Sequence, residues 1–233
     1  MTEAEHPPAL SSVVLLRLRD FARRPVAEQA RLKAQLDTVL AVLLQDIPAH
    51  ERIVLAGNGT AAVAVLGNAP VALAFAERAL RANQTGLGLC IGIEHGPVEI
   101  TAGDSGDALA GDGLATAASI AAFAEEAGLL VSKNYHDALA QAAPGAQSVL
   151  VPAGIFSDAG LRSYQVFRVD HEAPRRRRRR FHLMVIATIA LLGAATLALH
   201  LGVPDRPRPL EPYRDAVVST VLDFVQGVIR GQP

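Results

Sequence analysis

The hydrophobic positions of residues 10–170 alternate between short apolar runs and longer stretches with helical spacing. This alternation is typical of a layered domain in which helices pack on a β-sheet. Runs of strand length lie at residues 13–18, 53–56, 61–66, 88–94, 98–101, 129–132, 149–152 and 164–169, and helical spacing occurs at residues 25–45, 70–81, 114–127 and 134–140. The sequence therefore predicts an α/β (α+β) fold, a mixed sheet with flanking helices.

Glycine-containing turns separate several of the predicted strands. Gly57-Asn58-Gly59 lies between two apolar runs, and Asn-Gly is a strong hairpin signal. We also expect His95-Gly96-Pro97 to be a turn, with His95 as a turn residue, across which residues 88–94 and 98–101 pair. Residues 103–113 are rich in glycine and are expected to be a solvated loop.

A long apolar segment follows the predicted domain. Residues 181–203 read FHLMVIATIALLGAATLALHLGV and contain no Asp, Glu, Lys or Arg. At 1.5 Å per residue this segment makes about 34 Å of helix, which exceeds the roughly 30 Å of a bilayer's hydrocarbon core. The segment is therefore predicted to be a transmembrane helix, and a buried helix of a soluble protein is the alternative.

Six consecutive arginines directly precede the apolar segment: Arg175, Arg176, Arg177, Arg178, Arg179 and Arg180. Such a cluster is retained on the cytoplasmic side of a membrane and attracts anionic lipid headgroups. Residues 1–10 lack the basic flank and the apolar run of a secretory signal. The expected location is the inner (plasma) membrane, with one span, the N-terminal domain in the cytoplasm and the C-terminus outside it.

The residues after the predicted span change character once more. Residues 204–212 contain four prolines and are predicted to be an extended spacer. Residues 216–229 have apolar positions at helical spacing, which predicts an amphipathic helix that lies on the outer leaflet or on a partner. The predicted organisation is a tail at residues 1–10, a domain at 11–170, a basic juxtamembrane segment at 171–180, the span at 181–203 and an extracytoplasmic tail at 204–233.

The charge of the chain is unevenly distributed. The whole sequence has 22 Lys and Arg against 23 Asp and Glu, but residues 1–174 have 12 against 19. This acidic balance excludes the basic face by which proteins usually bind nucleic acid, because phosphate affinity comes from clustered Lys and Arg. The single cysteine, Cys90, excludes an intramolecular disulfide and a cysteine-rich zinc site, and its apolar neighbours predict that it lies in the core.

Four segments in a fixed order resemble the catalytic domain of class III adenylate/guanylate cyclases. They are the Gly57-Asn58-Gly59 hairpin, IGIEHGPVEI at residues 91–100, GDGLATAASIAAFAEEAG at 111–128 and LLVSKNYHDAL at 129–139. The resemblance covers essentially the whole predicted domain. It implies a class III nucleotidyl cyclase-like mixed sheet with flanking helices, and a dimer with substrate sites across the subunit interface.

The resemblance also indicates where the family's metal ligands would lie. Two metal ions that activate the ribose hydroxyl and neutralise the polyphosphate require two carboxylates. The first position, at the end of the first strand, is Asp20, and the second, in the hairpin, is Asn58, which is neutral and a weaker ligand for a hard cation. We therefore expect Asp20 to be the remaining ligand of an incomplete metal site.

The other catalytic positions of the family hold side chains of different chemistry. The asparagine that positions the ribose corresponds to Ala115, the phosphate-directed arginine to Ser119 and the base-reading lysine to Val54. Such an arginine is worth about three to five powers of ten in related phosphoryl chemistry, so its absence predicts a severe loss of rate.

These replacements predict a non-catalytic cyclase-like domain, a pseudoenzyme that acts in signal transduction as a regulatory, scaffold or dimerisation module. Its expected partners are the lipid bilayer and a cyclase-like chain, in a homodimer or heterodimer, and no cofactor is expected. The alternative is an active or partner-complemented nucleotidyl cyclase, a phosphorus–oxygen lyase that uses Mg or Mn to make a cyclic nucleotide from ATP or GTP. A third possibility places the function in the C-terminal amphipathic helix.

Overall fold

The computed structural model describes residues 9–82, 86–103, 106–124, 128–173, 183–193 and 195–196. The chain divides into two compact units, residues 1–177 and 178–233. The described part of the first unit is a β-sheet with helices on both faces.

The strands of the sheet are β1 (Ala9–Leu18), β2 (Arg52–Ala56), β3 (Thr60–Leu66), β4 (Leu89–Gly103), β5 (Gly106–Ala110), β6 (Leu129–Ser132), β7 (Leu150–Ser157) and β8 (Ser163–Val169). Their order is β2-β3-β1-β4-β6-β8-β7, and β5 pairs with β4 off this path. The described pairs are antiparallel except β4 with β6, which run parallel. The central pair is β1 with β4, which are joined along the whole length of β1.

The described α-helices of this unit are α1 (Val26–Leu43), α2 (Ala69–Ala82), α3 (Asp112–Phe123) and α4 (Lys133–Ala142). The largest core cluster lies where α1, α2 and α4 pack on one face of the sheet. To this cluster α1 contributes Leu32, Leu36, Leu40 and Leu43. Their spacing of three and four residues places these side chains on one side of the helix, as the sequence pattern predicts.

Of the described helices, α3 alone covers the opposite face. It lies very close to β4, since a Cβ atom at Gly92 would be 2.4 Å from the backbone oxygen of Ala117 and 2.4 Å from the backbone nitrogen of Ala121. Backbone atoms cannot move aside as a flexible side chain can, so only glycine fits at this position. At this point α3 therefore rests on the backbone of the sheet and not on a layer of side chains.

The predicted mixed α/β fold is confirmed, and most of its elements are present with bounds that differ by a few residues. The predicted helix at residues 114–127 is α3, which begins two residues earlier. Its N-terminal boundary is Gly111, whose φ of 109° is a conformation that favours glycine.

The turn predicted at His95-Gly96-Pro97 is wrong. Residues 88–94 and 98–101 do not pair with each other, because both belong to β4, which continues through this position and pairs with β1. The glycine has a different cause: a Cβ atom at Gly96 would lie 3.3 Å from the Cα of Gly113, in the first turn of α3. The local signal for a turn therefore reflects a close contact between a strand and a helix.

The loop expected at residues 103–113 also contains a strand. Gly106–Ala110 pairs antiparallel with Glu99–Gly103. Glycine is depleted in strands, so the composition of this segment favours a loop, and only its pairing with β4 identifies β5.

In the second unit, residues 183–193 and 195–196 are helical. They belong to the predicted span at residues 181–203, and the rest of that span lies outside the described residues. Among the described residues, no helix is both long enough and apolar enough to cross a bilayer. The arginines at 175–180, the spacer at 204–212 and the amphipathic helix at 216–229 also lie outside the described residues.

Candidate functional site

The end of β1 positions the first candidate residue, Asp20. The strand ends at Leu18, and Asp20 adopts a left-handed backbone conformation with φ of 53°. The chain then enters a short 3₁₀ turn at Phe21–Arg23. Aspartate tolerates a left-handed conformation better than most residues, because its short polar side chain can hydrogen-bond locally. The turn leaves the Asp20 carboxylate exposed at the end of the strand.

The second candidate residue, Asn58, lies at the tip of the β2–β3 hairpin. The next residue, Gly59, has φ of 75°, and a Cβ atom there would lie 2.5 Å from Cδ1 of Phe21. The backbone N–H of Leu18 donates to the carbonyl oxygen of Gly59 at 2.9 Å. A ring contact and a backbone hydrogen bond therefore hold the hairpin against the end of β1.

Asp20 and Asn58 line one open cavity of about 450 Å³, which we call the Asp20 cleft. Two arginines, Arg17 and Arg23, also line it. Nη1 of Arg23 lies 3.6 Å from Oδ1 of Asp20, and because both groups are exposed this ion pair contributes little stability. As far as the structure describes its wall, the cleft combines one carboxylate with two guanidinium groups.

The Asp20 cleft does not provide the ligands for a pair of divalent ions. Mg²⁺ and Mn²⁺ prefer oxygen ligands that carry charge, and Asn58 offers only a neutral amide beside Asp20. The guanidinium groups of Arg17 and Arg23 oppose the binding of a cation by charge repulsion. Within the part of the chain that the structure describes, no three or more His, Cys, Asp or Glu side chains are grouped to hold a metal ion.

Ala115 and Ser119 lie on α3, away from this cleft. The Ser119 hydroxyl donates to the carbonyl oxygen of Ala115 at 3.3 Å, and neither residue lines the Asp20 cleft. The helix has no basic residue along its length, Asp112–Phe123. The structure thus brings Asp20 and Asn58 together and leaves the other two positions apart from them.

Val54 contributes to the protein interior. It pairs with Val63 of β3 and packs against the core cluster under α1 and α2. Its side chain has no hydrogen-bonding atom, so it cannot read a nucleobase by hydrogen bonds.

Glu94 is a buried carboxyl group that the sequence analysis did not select. It is only 2% exposed, and its Oε1 accepts a hydrogen bond from Nδ2 of Asn134 at 2.8 Å. Its Oε2 is buried without a hydrogen-bond partner among the described residues. Burial raises the pKa of Glu94, and the side chains of Ser132 and Asn134 partly oppose this effect. The available signal was an acidic residue that directly continues the apolar run at residues 89–93.

Glu94 lies in the wall of a second open cavity, of about 230 Å³, which we call the Glu94 cavity. The cavity is formed by β4, the start of α3, the junction of β6 with α4, and β8. Its other polar wall residues include Asp112, Thr116, Ser132, Asn134 and Gln165. Ser132 is the N-cap of α4, and its hydroxyl oxygen accepts from the backbone N–H of Tyr135 at 2.9 Å, which fixes this corner of the wall.

His95 lies inside β4 and is not a turn residue as predicted. Its Nδ1 is 3.0 Å from Oγ of Ser12, its partner on β1, and burial lowers the pKa of His95. Ser12 is 1% exposed, so this pair joins two strands and does not present a nucleophile to a substrate. Cys90 is buried in the core, as predicted.

Comparison with known proteins gives a match in structure only. No protein-family model matches the chain, and no curated protein sequence matches it. The guanylyl cyclase Cya2 superimposes with a TM-score of 0.54 and 17% identity, over 71% of this chain and 93% of that chain. A Trypanosoma brucei adenylate cyclase in its monomeric state superimposes with a TM-score of 0.56 and 11% identity, over 74% and 94%.

A third solved structure agrees with these two. The dimeric guanylyl cyclase domain of the RhoGC fusion protein from the aquatic fungus Blastocladiella emersonii superimposes with a TM-score of 0.52 and 15% identity, over 71% of this chain and 97% of that domain. The first unit of this chain therefore has the fold of an adenylate/guanylate cyclase catalytic domain.

Proposed function

We propose that the chain is a non-catalytic, membrane-anchored cyclase-like domain that acts in signalling as a regulatory, scaffold or dimerisation module. The observation that carries this proposal is the composition of the Asp20 cleft. The cleft has one carboxylate, a neutral amide where a second carboxylate is required, and two arginines.

Cyclisation of a nucleoside triphosphate requires activation of the ribose hydroxyl and compensation of the charge on the phosphates. Arg17 and Arg23 can attract phosphate oxygens in the Asp20 cleft. They cannot activate a hydroxyl, because a guanidinium group stays protonated and has no acceptor. The cleft is therefore suited to holding an anion and lacks the groups that would turn over a triphosphate.

A partner-complemented cyclase is the second candidate function. It is favoured by one observation, the separation of Ala115 and Ser119 on α3 from the cleft that Asp20 and Asn58 share. A partner chain that presents its own arginine and asparagine to this cleft would replace what α3 lacks. The Asp20 cleft would still have Asp20 as its single carboxylate for metal ions, and for this reason we place this function second. Both candidates imply pairing with a cyclase-like chain, either a second copy or a different one.

Membrane anchoring is supported by the helical residues 183–193 of the second unit. The large apolar side chains of Leu183, Met184, Ile186, Ile189, Leu191 and Leu192 are exposed, and at 100° per residue they are distributed around the whole helix. The Thr188 hydroxyl donates to the carbonyl oxygen of Met184 at 2.9 Å, so its polar group is satisfied within the helix.

A helix that is apolar on all sides is stable in lipid or in a protein core, and not in water. We propose that this helix continues over residues 181–203 and crosses the plasma membrane once. The arginines at 175–180 then hold its N-terminal end, and the cyclase-like domain, on the cytoplasmic side.

The test uses the purified full-length chain in a mild detergent with Mn²⁺ and either ATP or GTP, and measures cyclic nucleotide by mass spectrometry. We expect no cyclic product from this chain. The matched control is Asp20→Asn, which removes the one metal-binding group of the cleft. Product from the wild-type chain alone that disappears in the Asp20→Asn variant would overturn the proposal. Product that forms only after a second cyclase-like chain is added would establish the second candidate.

A further inference from the structure

We propose that the domain docks on the anionic cytoplasmic leaflet of the membrane through the end of the sheet at which β1 terminates. The docking surface, which we call the arginine surface, consists of half-buried Arg17 and the exposed residues Arg19, Arg23 and Val26. This proposal rests on the membrane anchor proposed above, and it adds which surface of the domain meets the lipid.

The first argument is the place where the chain leaves the domain. Strand β4 runs antiparallel to β1, β6 runs parallel to β4, and β8 runs antiparallel to β6. Strand β8 therefore runs in the same direction as β1, and both terminate at the same end of the sheet. Just after β8, the backbone N–H of Asp170 donates to the carbonyl oxygen of Val149 at 2.7 Å, which holds the departing chain against the domain. The chain thus leaves the domain at the end of the sheet that carries the arginine surface.

The second argument is the short tether between the domain and the proposed span. The backbone N–H of Ala173 donates to the carbonyl oxygen of Asp170 at 3.2 Å, so the chain is still folded on itself at this point. Residues 174–180 then separate Ala173 from the proposed span at 181–203. A tether of this length reaches at most about 25 Å when fully extended. A domain of this size is roughly 40 Å across, so the tether keeps the end of the sheet from which the chain leaves near the bilayer.

The third argument is that positive charge is concentrated at this end of an acidic domain. Residues 17–31 have five arginines and two acidic residues, whereas residues 1–174 as a whole have 12 basic and 19 acidic side chains. At the opposite end of the sheet, the turn between β7 and β8 carries Asp158, and α3 begins with Asp112. An anionic leaflet attracts the first end and repels acidic groups at the second. The charge distribution therefore favours the orientation that the tether favours.

The arginines of this surface are also available for binding. Arg17 and Arg19 form no ion pair with any residue that the structure describes. Arg23 forms an exposed ion pair, with 3.6 Å between nitrogen and oxygen, which is weak in water. At the opposite end of the sheet, by contrast, Lys133 and Arg162 each have a closer carboxylate partner. Guanidinium groups without a close partner can bind the phosphate and carboxylate oxygens of lipid headgroups.

The fourth argument is the apolar side chain beside these arginines. Val26, the first residue of α1, is 81% exposed, and Ala22, Pro25 and Ala27 near it are exposed as well. Basic side chains around an apolar protrusion are the combination by which a protein surface enters the headgroup region of an anionic bilayer. A soluble anion would use the arginines alone, so the exposed valine favours a lipid surface as the occupant.

The experiment uses the full-length chain in nanodiscs of phosphatidylcholine, with or without one third phosphatidylserine. A polarity-sensitive fluorophore is attached at Ala22→Cys, an exposed position within the arginine surface, or at Ala159→Cys, an exposed position in the turn at the opposite end of the sheet. The native Cys90 is buried, so labelling of the folded chain is directed to the introduced cysteine. Glycerophosphoserine, the soluble headgroup, tests for a site that binds a free anion.

Two further variants test the arginines. Arg19→Gln combined with Arg23→Gln removes two charges from the arginine surface. Lys133→Gln combined with Arg162→Gln is the matched control, because it removes two charges from the opposite end of the sheet. All four side chains are exposed, so both variants are expected to fold.

We expect phosphatidylserine to raise the emission of the label at position 22 about twofold and to shift it to shorter wavelength, because anionic lipid draws the arginine surface into the headgroup region. The label at position 159 should give the same emission in both lipids. The arginine variant should lose most of the response and the matched control should keep it. High salt should weaken the response of the wild-type chain by screening.

The proposal is overturned if the label at position 22 does not distinguish the two lipids, if the label at position 159 responds as strongly, or if glycerophosphoserine alone gives the same response. A chain that enters nanodiscs of both compositions without this response would overturn the docking surface alone. A chain that enters neither would overturn the membrane anchor and the docking surface together.

Discussion

The ring of Phe21 occupies the space beside Gly59, so the residue after Asp20 packs on the residue after Asn58. A Cβ atom at position 59 would lie 2.5 Å from both Cγ and Cδ1 of this ring. This contact between Phe21 and Gly59 brings the side chains of Asp20 and Asn58 into one cleft, although neither Phe21 nor Gly59 carries a charge. The geometry of the Asp20 cleft therefore depends on an apolar contact outside its polar groups.

Gly59→Ala should destabilise the chain by ~3 kcal/mol, because it combines a steric clash with Phe21 and a strained left-handed backbone. Gly67→Ala is the matched control: its φ of 68° is similar to that of Gly59, but nothing lies within 4 Å of the added methyl group. This control should lose about 1 kcal/mol, from the backbone conformation alone. Denaturant unfolding measures both, and equal losses would show that Phe21 does not fill this space.

Asn58→Asp should increase the binding of Mn²⁺ to the Asp20 cleft, because it places a second carboxylate beside Asp20. The measurement is the shift in melting temperature on addition of Mn²⁺. Asn68→Asp, the same change at an exposed position before α2, should show no increase. We expect no cyclic nucleotide from Asn58→Asp, since Ala115 and Ser119 still provide no charge for the phosphates. Cyclic product from this single variant would show that catalysis does not require the arginine that cyclases have at the position of Ser119.

The contribution of Glu94 to the stability of the wild-type chain should fall as the pH rises through its titration. Burial raises the pKa of this carboxyl above its ordinary value of 4.5, so the native state holds the proton more tightly than the unfolded chain does. The contribution of Glu94 to the free energy of unfolding therefore decreases between pH 4.5 and the raised native pKa, and it stays at the lower level above that pKa.

Glu94→Gln should remove this contribution, whereas Glu99→Gln should keep it. The measurement is denaturant unfolding of all three chains from about pH 4 to about pH 8. The other ionisable groups around the cavity, Asp112, Lys133 and His95, are the same in all three, so the difference between the curves isolates Glu94. Parallel curves for wild type and Glu94→Gln would show that the carboxyl group titrates as it does in the unfolded chain.

Membranes from cells that express the chain should retain it after an alkaline carbonate wash, which removes peripheral proteins. A chain without residues 181–203 should be released, because it loses the apolar helix proposed to cross the bilayer. A chain without residues 204–233 is the control and should be retained. Release of the second variant together with retention of the first would place the anchor in the C-terminal amphipathic helix.

An element could be predicted from sequence where residues close together in the chain determine its structure. The leucines of α1 form one apolar side, and the hairpin at Gly57-Asn58-Gly59 has a strong local turn signal, so both lie where the pattern places them. The prediction of a turn at His95-Gly96-Pro97 was wrong, because this segment is determined by contacts with residues distant in the sequence. Gly96 is required by the first turn of α3, and proline is tolerated at position 97 because β6 pairs with β4 only over Ile91–Ile93, short of this point.

The same distinction applies to the two cavities. Asp20 and Asn58 were accessible to sequence reasoning, because each lies at the end of a recognisable strand or hairpin. The burial of Glu94 was not accessible, because it depends on how closely α3 packs on the sheet. The distance between α3 and the sheet is set by Gly92 on β4 and by Ala117 and Ala121 on α3. These residues are far apart in the sequence, so no local pattern predicts the distance.

The contact of α3 with Gly92 has a mechanical consequence. A helix that packs on a layer of side chains can accommodate a small displacement through changes of rotamer. Where Ala117 and Ala121 meet the strand, α3 packs directly on the backbone of Gly92, and no side chain lies between them. The first turn of α3 borders the Glu94 cavity, and we expect a displacement there to move the helix as one body. Such a movement would carry Ala115 and Ser119 with it, since both lie on α3, and would leave the chemistry of their surface unchanged.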